Sequence, residues 1–239
     1  EARDVLGNRQ LLTIMSAAVL MSLAGGAGTG LGAYLNLHYW GLPPEIIGLV
    51  VGAATVSAMV SLAIAPVAAG RLGKVRALTA LYLAWLATAV FPPLLRTVGL
   101  FPANGDPLLL PILTVNFTLG VTCLLSGTII AASFIADIVA AEAEARGVRA
   151  EGLTFAVYGI ADKCAKGAGA FVAGLFLTIV NFPVRAVPGT VDPAVVNNLV
   201  FLFMPFATVT NLAAIWLLSR LREAPAGAPE AAAAAHAAE

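Results

Sequence analysis

Residues 151–182 read EGLTFAVYGIADKCAKGAGAFVAGLFLTIVNF, an apolar stretch long enough to cross a bilayer but interrupted near its middle by Asp162, Lys163 and Lys166. A charge at mid-membrane depth costs about 2.5–3.5 kcal/mol on insertion scales, so such residues face a bundle interior or a wet cavity and usually pair. Counted from Gly152 near one membrane surface, at a rise of about 1.5 Å per residue, Asp162 stands about 15 Å and Lys166 about 21 Å along the helix. The two are four residues apart with the acid on the amino-terminal side, the better orientation for a helical ion pair. Lys163 points roughly 100° away from Asp162 and needs another partner, a wet cavity or a path to snorkel.

The rest of the chain is of the same kind. Of its 239 residues 60% are hydrophobic and 11% charged, with a mean hydropathy of +0.93, too apolar for a soluble domain of this length. A membrane-crossing helix needs about 20 apolar residues. Apolar segments of that size fall at 11–37, 45–69, 77–95, 108–139, 152–181 and 197–219. The breaks carry turn chemistry: Gly41, Pro43 and Pro44; Gly70 and Gly73; Asn104 to Pro107; and Pro183, Pro188, Gly189 and Pro193. The expected fold is therefore an all-α integral membrane protein, a six-transmembrane-helix bundle over residues 11–222 with antiparallel sequential neighbours. Residues 1–10 are a polar cytoplasmic lead-in, and 223–239, APAGAP followed by an alanine run, a disordered cytoplasmic tail. The polar opening without an initiating methionine suggests a piece of something longer.

Arg3, Arg9, Arg71, Lys74, Arg76, Arg146, Arg149, Arg220 and Arg222 fall on one side of the six segments, and Arg96 and Arg185 on the other. The positive-inside rule places both termini in the cytoplasm, with the bundle in the cell or inner membrane. Net charge is zero and no basic patch appears, so nucleic acid is not an expected partner. Cys123 and Cys164 lie in apolar segments, and His38 and His236 are isolated, which offers neither a metal site nor a catalytic constellation. No cofactor is expected.

Small residues crowd the first segment, Ala24, Gly25, Gly26, Gly28, Gly30 and Gly32, where a neighbouring helix or a substrate can approach the backbone. Asn116, Thr118, Thr122, Ser126 and Thr128 give the fourth segment a polar stripe, and Thr154 and Tyr158 add hydroxyls to the fifth. Asn116, Thr122 and Tyr158 are candidates to line a cavity, with interhelical hydrogen bonds as the default alternative. Tyr39, Trp40 and Trp216 fit interfacial aromatic belts.

Three local patterns resemble a known family. Asn8-Arg9 leads into a glycine-rich span ending Tyr34-Leu35-Asn36-Leu37-His38-Tyr39-Trp40-Gly41, followed by Ile46-Ile47-Gly48-Leu49. Ala65-Pro66 precedes Gly70-Arg71-Leu72-Gly73-Lys74, and Ala136-Asp137-Ile138 precedes Arg149-Ala150-Glu151-Gly152 and Lys166-Gly167. Together they resemble the carboxy-terminal half of the glycoside, pentoside and hexuronide cation symporters, the melibiose permease-like group of the major facilitator superfamily. The family's aspartate before Arg71 is Gly70 here, and its aromatic after the Ala-Asp signpost is replaced by alanine and glutamate.

The resemblance implies one of two bundles in a twelve-span transporter, with the substrate held between halves near the midplane. Its expected partners are a small-molecule sugar or glycoside, the lipid bilayer, and an amino-terminal six-span half or a second copy. It also implies symport with Na⁺ or H⁺, with Lys166 at the cavity between halves. Asp162 and Lys163 join Lys166 as candidates for substrate and cation coupling, since an ammonium can compete with a cation for carboxylates. Asp137, Arg149, Glu151 and Arg71 sit at span ends, where ion pairs could latch one state, solvated surface charge being the alternative. Other readings are a lipid or lysolipid carrier of the same superfamily, a static structural role for the Asp162–Lys166 pair, and a non-transporting assembly subunit.

Overall fold

The computed structural model describes residues 9–146 and 151–222. The lead-in before Arg9, Arg149 and the tail from 223 lie outside the described residues. Six α-helices follow in order: α1 (Arg9–Tyr34), α2 (Pro44–Leu72), α3 (Lys74–Thr97), α4 (Leu109–Arg146), α5 (Glu151–Ile179) and α6 (Pro193–Ser219). A π-helical turn, Leu35–Tyr39, prolongs α1. Five of these segments are long and apolar enough to cross a membrane. The remaining one, α5, has the length but carries Asp162, Lys163 and Lys166 at its centre.

Local chemistry sets the joints. Pro44 opens α2 with its ring already at a helical φ, and Pro193 opens α6 behind Asp192, whose carboxylate accepts from the Ala194 amide at 2.8 Å. Only Gly73 separates α2 from α3, with φ 82° and ψ 156°, a conformation essentially reserved for glycine. Pro66, Pro92, Pro93 and Pro205 lie inside helices. Membrane helices tolerate this where neighbours resatisfy the freed carbonyls. Helix α4 extends over 38 residues, about 57 Å at 1.5 Å per residue, so it outruns a hydrocarbon core of about 30 Å.

The neighbours form a symmetric set. Helix α1 lies against α5 and α6, α4 lies against α2 and α3, and α3 touches α6. Exchanging α1–α3 with α4–α6 reproduces these relationships. Because α1 and α4 are three crossings apart and run oppositely, the two triplets form an inverted repeat of the kind that builds secondary transporters.

The main core joins Leu11 and Ile14 of α1, Leu78 and Tyr82 of α3, Phe134 of α4 and Ile215 of α6. A second cluster joins Leu31, Ala173, Leu199 and Phe203. Large apolar side chains also point outward: Met59 is 71% exposed and Phe171 69%. In water such a surface would aggregate, whereas a bilayer covers it.

Candidate functional site

The α1–α5 seam is built from small residues at four-residue spacing. Ser22, Gly26 and Gly30 of α1 face Ala165, Gly169 and Ala173 of α5. A β-carbon on Gly26 would overlap the Lys166 carbonyl, and one on Gly169 would overlap the Leu23 carbonyl. A β-carbon on Gly30 would meet that of Ala173 at 2.9 Å. This is the close backbone approach that membrane helices use where no water drives them together. The other α1 glycines divide: Gly28 touches Phe203 of α6 at 3.4 Å, while Gly25 and Gly32 face open space.

The seam fixes the charge pair. Lys166 Nζ donates to Asp162 Oδ2 at 2.8 Å. The buried Ser22 hydroxyl donates to Asp162 Oδ1 at 2.5 Å. Both carboxylate oxygens are therefore engaged, one within α5 and one across the seam. The Asp162 side chain is 24% exposed and that of Lys166 58%, so the pair sits at the edge of the packed bundle with the ammonium outward.

Exposure divides the free surface of α5 into two strips. At roughly 100° per residue, Leu153, Ile160, Phe171 and Leu175 fall on one side, a wall of large apolar groups suited to lipid. Lys163 and Lys166 fall on the adjoining side with Ala156, Gly167, Ala170 and Gly174, all exposed. That strip carries two lysines among small residues, with the exposed Phe155 at its edge beside Lys166. Among the described residues no carboxylate pairs with Lys163, although its charge reaches Asp162.

The other expected site residues are drawn into packing. Thr122 is buried and donates to the Thr118 carbonyl at 2.7 Å, and Asn116 donates across to the Thr88 carbonyl of α3 at 2.9 Å. Tyr158, one turn before Asp162, is half-buried against the main core. The threonines of the α4 stripe return their hydroxyls to carbonyls one turn back. Asp137 pairs with Lys74 at the start of α3, and Lys74 also donates to Ser133 at 2.8 Å. Arg71 is exposed and is not the described partner of Asp137. The Glu151 side chain lies outside the described residues.

Tyr39 is 6% exposed, and the Arg96 guanidinium lies 4.7 Å from its ring centre and 5.2 Å from that of Trp40. Arg96 also donates to Asn104 at 2.8 Å, and Asn104 donates to the Tyr39 carbonyl at 3.3 Å. The cage ties the end of α1 to the α3–α4 connection. Trp216 is 56% exposed, with the Arg220 guanidinium 4.6 Å from its ring centre.

Sequence reasoning missed Ser22, Lys74 and the Arg96 cage. The four-residue spacing of Ser22, Gly26 and Gly30 was the available signal for the first.

Comparison with known proteins agrees with this architecture. A family model described as MFS/sugar transport protein matches residues 1–222. No curated protein and no solved structure matched the chain. An all-helical bundle with outward apolar side chains and two matching helix triplets, matched by that model over nearly its whole length, belongs to the melibiose permease-like MFS/sugar transport family and forms one half of its multi-pass membrane fold.

Proposed function

We propose that this bundle carries a sugar or glycoside in symport with Na⁺ or H⁺ by alternating access, working against an opposing bundle across the lysine-bearing strip of α5. The observation that carries the reading is the Asp162–Lys166 pair, held at 2.8 Å and anchored to α1 through Ser22. An ammonium in such a position competes with a cation for carboxylates, which ties ion occupancy to the arrangement of the halves. Cytoplasmic termini and residence in the cell or inner membrane follow from the lysine and arginine distribution.

The test is uptake of radiolabelled glycosides into proteoliposomes holding the full-length protein, under imposed Na⁺ or H⁺ gradients. Lys166→Gln is expected to abolish gradient-driven accumulation while the protein stays folded and inserted. Accumulation by the variant equal to wild type would sink the coupling role.

A further inference from the structure

From a groove on the flank of the α1–α5 seam away from the lysines we infer that the bundle holds an anionic phospholipid of the leaflet at its basic end. One acyl chain lies in the groove and the phosphate on Arg9 and Arg220. The lipid is retained rather than carried, and the inference stands independently of the transport reading above.

The groove has a volume of about 370 Å³ and is lined by Leu12, Met15, Ser16, Val19 and Leu20 of α1 and Ala161 of α5. That is the size of a small-ligand site, about 300–1,000 Å³, and its walls are apolar apart from the Ser16 hydroxyl. Helix geometry sets it apart from the lysine strip. At roughly 100° per residue, Ala161 lies about 70° to one side of the seam line through Asp162, Ala165 and Gly169, and Lys166 about 70° to the other. Val157 and Leu175, both exposed, follow Ala161 around its flank, so this side of the seam opens towards the bilayer.

Length and charge specify the occupant. The groove runs from Leu12 to Leu20, about 12 Å along α1 at about 1.5 Å per residue. That is close to the depth of one leaflet, half of a hydrocarbon core of about 30 Å. Arg9 is exposed just beyond Leu12, on the same helical stripe as Ser16 and Leu20. Leu11 of α1 shares the main core with Leu218 and Leu221 of α6, which brings the exposed Arg220 to the same end. Among the described residues neither arginine is paired with a carboxylate. A guanidinium meets a phosphate through paired N–H groups. An apolar trough one leaflet deep, ending at two unpaired guanidinium groups, is complementary to a lipid with net negative charge, whereas a zwitterionic lipid brings its own cation to the same place. A chain lodged there braces the join of α1 and α5 from the side opposite the lysines.

The experiment uses the full-length protein, purified in detergent and stripped of lipid. It is titrated with phosphatidylglycerol or phosphatidylcholine of the same acyl chains, and bound lipid is counted by native mass spectrometry. Wild type is expected to bind one phosphatidylglycerol about tenfold more tightly than phosphatidylcholine, and the double variant Arg9→Gln, Arg220→Gln to bring the two within about twofold. Ala161→Phe, which fills the trough, is expected to weaken both lipids. Both arginines are exposed, so the double variant decides the matter even where Ala161→Phe fails to fold. Equal affinity of wild type for the two lipids, or a phosphatidylglycerol preference unchanged in the double variant, overturns the inference. A wild-type protein that takes up no lipid tightly overturns it as well, because another protein surface then covers the groove.

Discussion

The Lys166 carbonyl lies directly against the α-carbon of Gly26, so the backbone that carries Lys166 touches the backbone of α1 with no side chain between them. Gly26→Ala is expected to wedge the seam open. Overpacking of this kind costs about 1–3 kcal/mol. The apparent melting temperature in detergent should fall by several degrees, with Gly25→Ala, which faces open space, unchanged. Equal effects from the two substitutions would show that the seam does not hold α5.

Ser22→Ala removes the hydroxyl that fixes the second oxygen of Asp162. Charge-assisted bonds exceed neutral ones, but interhelical bonds in membranes are modest, so the expected loss is about 1–2 kcal/mol. The functional sign is a weakened dependence of uptake on the ion gradient without loss of protein from the membrane. Normal gradient dependence would make Ser22 a packing residue only.

Asp137 and Lys74 join α4 to α3 inside one bundle. A pair within one bundle is expected to persist whichever way the bundle leans, as a staple would. With both side chains about one-third exposed, a double-mutant cycle on thermal stability should give a coupling of about 0.2–1 kcal/mol. Swapping the charges should restore most of it. A swap that leaves stability intact but freezes transport would argue for a latch.

Arg96 is clasped by Tyr39 and Trp40. Arg96→Ala should cost about 1–2 kcal/mol, and Arg96→Lys should recover only part, because the planar guanidinium is what stacks on the rings. Fluorescence of Trp40, in a background lacking Trp85 and Trp216, should redshift as the cage loosens. An unshifted spectrum would mean that the rings stay buried without the cation.

Much of the architecture was legible before any coordinates. Apolar segments of membrane length and the placement of arginines gave an all-helical membrane bundle, and the four-residue offset of Asp162 and Lys166 put both on one face of a helix. Long-range partners were not legible. Ser22 lies 140 residues from Asp162, and only the fold brings them together. Lys74 meets Asp137 because α3 and α4 pack side by side. In the polar stripe of α4 the local bonds follow from sequence, since a threonine hydroxyl inside a helix finds a carbonyl one turn back, whereas the Asn116 bond to the Thr88 carbonyl depends on the fold.

Gly73 is the only residue between α2 and α3, and a joint of one residue can swivel but cannot lengthen. Force applied along α2 therefore passes into α3 undiminished. The opposite end of the bundle is connected through residues 98–108 and 180–192, which have slack to absorb displacement. The described connections are thus graded in length, one residue where the basic loop turns and up to thirteen at the far rim, where 40–43 is the short one.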